Sequence, residues 1–295
     1  MKIALLWPDY WPYGRRGTER MLHDIAYFLA DRGHEVDILA SKPGRAQVTR
    51  NGGVTVYHLP QVNHPVLRRL RPNLRFDMHG LMVAPLLLRK QYDLIHAFVY
   101  VYGPALKLAR WLRGTPMAYH VTYVPPCHDQ VYDRELVKLC LYSGAPVRVF
   151  SRYCAAYMES QYGIDTWIVP PTVDMDVFRP SDDKFAQPTI LYTADLTHGL
   201  KGPHILARAF NRVREERPET RLLLAGPLTA PKAELDGVMR LFSPEALGGV
   251  EIAGPGSLSS LPSLYGSAAV TVLPSLGEPF GMVLTESLAC GTPVV

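Results

Sequence analysis

The 295-residue sequence has no run of about 18 apolar residues, so no helix in it is expected to cross a bilayer. Its first apolar run, Ile3 to Trp7, is five residues long and is closed by Pro8 and Asp9. That is too short for the core of a signal peptide and reads as a buried first strand. The expected location is therefore the cytoplasm. Cysteine is scarce. Cys127, Cys140, Cys154 and Cys290 form no C-x-x-C pair, and no histidine cluster has zinc-ligand spacing. Free thiols and no metal site are expected. Low-complexity segments and convincing internal repeats are absent. No G-x-G-x-x-G follows the first strand, which argues against a plain dinucleotide-binding dehydrogenase.

What is present is ordinary for a globular chain with a sizeable core: 47% hydrophobic and 20% charged residues. The length predicts two domains. The net charge of +4 is unevenly spread. Residues 61–90 carry Arg68, Arg69, Arg71, Arg75, Arg89 and Lys90 against Asp77 alone, a local excess of five positive charges.

Short apolar runs alternate with amphipathic stretches. Strands are predicted at 2–7, 36–40, 54–59, 93–98, 115–121 and 147–150. Helices are predicted at 18–32, closed by Gly33, and near 81–91, 103–113, 131–143 and 152–162, the last with Ser151 as N-cap. Such alternation means a parallel sheet covered on both faces. Residues 171–188 are rich in Pro and Asp, lack periodicity and read as a linker between a domain at 1–170 and another at 189–295. The second domain restarts the pattern: strands at 189–194, 221–226, 250–254 and 269–274, and helices at 202–217 and 281–290. The last residues, TPVV, begin one more strand, so this domain is expected to be incomplete.

The chemistry concentrates after the strand at 269–274, in SLGEPFGMVLTE (275–286). Open parallel sheets bind ligands at the carboxyl ends of their strands. Gly281 opens a helix there, and the N–H groups of Gly281, Met282, Val283 and Leu284 form an anion site suited to a diphosphate. Glu278 precedes the helix and Glu286 lies within it. A carboxylate accepts two hydroxyl hydrogen bonds at once, which suits a ribose diol or a sugar ring.

EPFGMVLTE (278–286) followed by SLACGTPVV closely resembles the family 4 retaining glycosyltransferases of the GT-B fold. The likeness extends to KGPHILARAFNRVREERPETRLLLAG (201–226), to VPPTVDMDVFRP (169–180) with Asp174 and Phe178, to GTERMLHDIAYFLADRGHEVDILA (17–40), and to DLIHAF with its Tyr-Gly-Pro. The resemblance implies two Rossmann-like doubly wound domains facing a cleft. It implies a nucleoside-diphosphate-sugar as co-substrate, with no metal and no other cofactor. It implies a hydroxyl acceptor on a carbohydrate, a glycolipid or lipid-linked carrier, or a small molecule. Transfer retains the anomeric configuration, with a diphosphate oxygen helping to remove the acceptor's proton. Carried over by position, Lys201 binds donor phosphates. Val283 and Leu284 add backbone N–H contacts, Glu286 holds the ribose, Glu278 holds the transferred sugar, and Gly17 brings N–H groups near phosphate or acceptor.

Three positions depart from the family's pattern. Ala194-Asp195-Leu196 stands where Gly-Arg-Leu is usual, so a phosphate-binding arginine is missing. Arg16 replaces the first glycine of Gly-Gly-x-Glu, and Arg16 or Arg15 is hypothesised to supply the missing charge. If Arg16→Ala leaves donor affinity and turnover unchanged, that idea fails. Thr122 occupies the position of a site histidine. His120, two residues earlier and on the same strand face, is a candidate for that role beside a structural reading. His96 is read as structural.

The basic stretch HPVLRRLRPNLRF (64–76), interleaved with apolar residues, suggests peripheral contact with anionic lipid on the inner face of the membrane. Nucleic acid is not expected as a partner, since no recognised module is present. The alternatives carried forward are a nucleotide-sugar epimerase or phosphorylase on the same fold, and a degenerate donor-binding module without turnover.

Overall fold

The first strand, β1 (Lys2–Leu6), is apolar after Lys2 and buried on both faces, as a central parallel strand must be. It belongs to a computed structural model that describes residues 1–12, 17–61, 74–99, 102–122, 144–228, 232–254 and 259–295, with backbone only for 74–77. Among these residues no helix is long and apolar enough to cross a membrane. The chain divides into two compact units, Met1–Pro171 and Thr172–Val295.

In the first unit, β1 leads to α1 (Gly17–Asp31), which buries Met21, Leu22 and Ala26 on one stripe. Gly33, at φ +81°, lies just past its end. β2 (Glu35–Lys42), β3 (Gln47–Asn51) and β4 (Val54–Pro60) follow. Next come α2 (Leu74–Arg89), β5 (Leu94–Ala97), α3 (Gly103–Arg113) and β6 (Met117–Val121). The unit closes with β7 (Val147–Val149), α4 (Arg152–Tyr162) and β8 (Trp167–Ile168). Ser151 caps α4, its Oγ accepting the Cys154 N–H at 3.3 Å. The sheet order is β3-β4-β2-β1-β5-β6-β7-β8, parallel throughout except for the antiparallel β3–β4 pair.

Three features differ from expectation. β3 has every residue exposed, so no apolar alternation announces it. β8 is only two residues long. α2 starts seven residues earlier than predicted, directly after the Pro- and Arg-rich stretch, and runs through Pro85. The predicted helix at 131–143 and residues 64–73 of the basic stretch lie outside the described residues, as do Cys127, Cys140, Arg15 and Arg16.

The second unit contains β9 (Thr189–Tyr192), α5 (Pro203–Glu216), β10 (Arg221–Leu224), α6 (Lys232–Met239) and α7 (Pro244–Leu247). It continues with β11 (Val250–Ile252), α8 (Leu261–Ser267), β12 (Val270–Thr271) and α9 (Met282–Ala289). Its parallel sheet has the order β11-β10-β9-β12, and Val294 adds a parallel bridge to Thr271. α6, α7 and α8 were not anticipated; each is eight residues or fewer and carries little periodic signal.

Residues within the Pro- and Asp-rich stretch belong to this unit's core. Asp174 Oδ1 accepts the Asp176 and Val177 N–H groups, and the Phe178 N–H donates to the Asp174 carbonyl. That turn delivers Phe178, fully buried, against Leu191, Tyr265 and Cys290. The conspicuous Asp and Phe of the segment are thus a turn cap and a core anchor.

Candidate functional site

In the second sheet the strand order reverses between β9 and β12, and the crevice at such a reversal is where open parallel sheets bind ligands. Two loops leave the strand ends there, one before α5 and one before α9. They are fastened to each other. The Leu276 N–H donates to the Leu200 carbonyl at 2.9 Å. Gly202, at φ +68°, lies so close to Pro274 that a Cβ on it would stand 1.9 Å from the proline carbonyl oxygen. Only glycine fits this contact.

On that support stands an ion pair: Lys201 Nζ lies 2.7 Å from Glu278 Oε2, with side-chain exposures of 31% and 24%. Ser275 Oγ donates to the same Glu278 oxygen at 3.1 Å. The Lys201 carbonyl in turn accepts from Tyr192 OH at 3.2 Å. Burial, then Asp195 and Glu278, raise the Tyr192 phenol pKa and keep that hydroxyl a donor. Asp195, where the family's arginine is missing, has a local role: its Oδ1 accepts the Thr197 N–H at 2.9 Å and the Thr197 hydroxyl at 2.6 Å.

Gly281 is the N-cap of α9, at φ +84°. The Leu284 N–H already donates to the Gly281 carbonyl at 2.9 Å. Of the four N–H groups expected to bind an anion, this removes Leu284 and leaves Gly281, Met282 and Val283, which have no partner within the helix itself. Glu286 lies one turn on and is 3% exposed. Burial and the Glu286 charge together raise the Cys290 thiol pKa. The string after it holds the helix in place. Ser287 Oγ donates to the Thr292 carbonyl and shares a hydrogen bond with the Thr271 hydroxyl, and Thr292 Oγ1 donates to the Tyr265 carbonyl at 2.7 Å. Gly291 turns the chain at φ +77°.

The structure thus brings Lys201, Glu278 and Gly281 together and places Met282, Val283 and Glu286 on the same helix. Ser275 and Tyr192 were missed by sequence reasoning. A serine three residues before Glu278 was a usable signal for the first; nothing in the sequence pointed to the second.

The first-unit candidates stand apart in character. Gly17 opens α1 and is exposed. His120 is 4% exposed and lies among aromatic rings, with Phe150 at 4.4 Å and His96 and Phe98 at 5.8 Å between centroids. Among the described residues, its Nε2 and that of His96 have no hydrogen-bond partner. Burial, with the Arg148 charge, lowers the His120 pKa to about 4. Burial, then His120 and Arg148, lowers that of His96 to about 3. Thr122 donates to the Phe98 carbonyl at 3.3 Å.

The fold and this crevice define a GT-B glycosyltransferase. Residues 15–177 match the family described as Glycosyltransferase Family 4, and residues 187–295 match Glycosyl transferases group 1. The chain belongs to glycosyltransferase family 4. It is 27% identical to a D-inositol 3-phosphate glycosyltransferase of Pseudarthrobacter chlorophenolicus, over 95% of this chain and 73% of the relative. Its fold matches sucrose-phosphate synthase of Thermosynechococcus elongatus with a TM-score of 0.77 at 21% identity, over 99% of this chain and 80% of the other. It also matches Anabaena HepE in complex with UDP and glucose, with a TM-score of 0.72 at 21% identity, over 100% and 80%.

Proposed function

We propose that the chain moves a glycosyl group from a nucleoside-diphosphate-sugar to a hydroxyl acceptor, with retention of anomeric configuration. The observation that carries this is the Lys201–Glu278 pair, 2.7 Å apart at the sheet's switch point, beside a glycine-capped helix start. A cation and a set of N–H groups suit a diphosphate, and a carboxylate suits sugar hydroxyls. Lys201 and the start of α9 stabilise charge on the departing diphosphate, a preorganised electrostatic effect. Glu286 is assigned to the ribose and Glu278 to the transferred sugar, as a binder and not as a covalent nucleophile. The acceptor hydroxyl attacks on the face the nucleotide leaves, and a phosphate oxygen takes its proton. This reading needs no metal, so turnover should be unchanged by EDTA.

His120 is the candidate group for contact with the acceptor. Burial keeps its imidazole neutral at pH 7, and its Nε2 has no partner among the described residues. His120→Asn should lower kcat and leave donor affinity unchanged; equal activity would remove it from the site.

The test of the reaction is a thermal-shift screen with UDP, GDP, ADP and their glucose conjugates. The best donor is then incubated with an acceptor panel, including inositol 3-phosphate because relatives bear that name. Acceptor-dependent release of nucleoside diphosphate, with an α-linked product from an α-linked donor, is expected. Lys201→Ala should reduce kcat/KM by about 100-fold or more. Release without an acceptor product, or interconversion of the sugar alone, would favour a phosphorylase or an epimerase. Donor binding without turnover would favour a binding module.

Peripheral contact with anionic lipid is part of the same proposal, and α3 supports it. Leu108, Trp111 and Leu112 are 37%, 80% and 50% exposed on one stripe of that helix. Lys107, Arg110 and Arg113 stand beside them, and the helix has no acidic residue. An indole with flanking cations suits a headgroup layer. Co-sedimentation with phosphatidylserine-containing liposomes should fall on Trp111→Ser and on raising salt. Indifference to both would end this part of the reading.

A further inference from the structure

The two side chains assigned to different parts of the donor are paired with each other. Lys201 Nζ and Glu278 Oε2 stand at 2.7 Å, and neither is exposed by more than a third. A diphosphate that takes Lys201 must draw it from Glu278. A sugar that takes Glu278 with no diphosphate present competes with a full cationic charge. Neutral hydroxyls make weaker hydrogen bonds to a carboxylate than an ammonium does. The pair is therefore asymmetric: a diphosphate competes for Lys201 charge against charge, whereas sugar hydroxyls compete for Glu278 Oε2 as neutral donors against a cation.

A third group decides what happens after opening. Ser275 Oγ donates to the same Glu278 oxygen that Lys201 holds, at 3.1 Å. Ser275 is fixed by its own N–H, which donates to the Leu273 carbonyl, and its neighbour Leu276 is tied to Leu200. When Lys201 leaves, this hydroxyl remains to hold the carboxylate in place.

We propose that the Lys201–Glu278 pair is an exchange latch that makes recognition of the sugar conditional on the diphosphate, and that Ser275 is the positioning residue that keeps Glu278 aimed once the latch opens. The proposal rests on the donor-site reading above and adds an order of events to it: phosphate first, sugar second. One consequence is that the enzyme would discriminate against free sugars without any contact that excludes them.

The test is calorimetric titration of the wild-type chain, Glu278→Gln, Ser275→Ala and Ser275→Thr. The probes are the tightest-binding of UDP, GDP and ADP, that nucleotide's glucose conjugate, and glucose alone. Glu278→Gln removes the competing charge but keeps the shape. It should bind the bare nucleoside diphosphate about two- to fivefold more tightly than wild type, and lose the added affinity that the glucose moiety confers. Ser275→Ala should leave nucleoside diphosphate affinity unchanged and weaken the glucose conjugate about three- to tenfold, with Ser275→Thr restoring it. A purely structural role for Ser275 would weaken both ligands equally and overturn its assignment. Unchanged or weaker nucleotide binding in a folded Glu278→Gln, or measurable binding of glucose alone to wild type, would overturn the latch. If none of the three diphosphates binds wild type, the donor-site reading itself fails and the latch with it.

Discussion

The two units share an α/β plan but hold themselves together by different means. The first, Met1–Pro171, buries imidazoles: His58, His79, His96 and His120 are each 9% exposed or less. Among the described residues of the second, Thr172–Val295, no histidine is buried. The second instead relies on backbone approaches that leave no room for a side chain. A Cβ on Gly202 would meet the Pro274 carbonyl oxygen at 1.9 Å, and one on Gly226 the Ala194 carbonyl oxygen at 1.8 Å. The lesson is that the first unit is vulnerable to protons and the second to methyl groups.

The largest expected effect comes from breaking the second unit at its tightest point. Gly202→Ala places a methyl group inside a carbonyl and a β-carbon in left-handed backbone. It should destabilise that unit by about 3 kcal/mol or more and abolish donor binding. Amide exchange resolved by unit would show the loss in 172–295 first. Equal protection in the variant would break the contrast.

Acid should pick out the other unit. His79, His96 and His120 have pKa values lowered to about 4, 3 and 4 by burial, well below the usual 6.5. The unfolded chain takes up these protons more readily, so stability is complete above about pH 6.5 and falls as pH drops towards 4. By pH 5 each histidine should cost on the order of 2 kcal/mol. The four tryptophans, Trp7, Trp11, Trp111 and Trp167, all lie in the first unit, so their fluorescence follows it alone. Urea midpoints from that signal should fall between pH 7 and pH 5, and more steeply than midpoints from amide exchange of 172–295.

Smaller effects sharpen the comparison. Ser287→Ala removes a buried hydroxyl that joins α9 to Thr271 and Thr292, and should cost about 1–3 kcal/mol, read in the second unit by urea unfolding. Asp195→Asn keeps an acceptor for the Thr197 N–H, so stability should change by less than about 0.5 kcal/mol. Donor affinity should not change either. A clear gain in affinity would mean that the aspartate opposes the diphosphate.

The contrast also explains what could be read in advance. Strands such as KIALL and VTVYHLP announce themselves because burial demands apolar side chains. β3, wholly exposed on a sheet edge, makes no such demand. At the crevice between β9 and β12, Gly202, Gly281 and Gly291 were legible as part of a motif, because a positive φ or a close contact restricts the residue type. Tyr192 was not. A tyrosine in a strand looks like core, and its bond to the Lys201 carbonyl depends on a fold that brings the loop back over it. His120 shows the limit from the other side. Its place on β6 was readable, but its burial among His96, Phe98 and Phe150 comes from the ends of the two strands that flank it, β5 and β7.

The contact between Gly202 and Pro274, with the Leu276–Leu200 hydrogen bond beside it, bears on how such a crevice can be altered. Two stretches far apart in the chain are geometrically a single part. Transplanting only one of them from a relative with another donor preference would set a foreign backbone against an unmatched partner. A chimera should therefore exchange 193–202 and 273–281 together, as one cassette, if it is to fold and acquire the new preference at once.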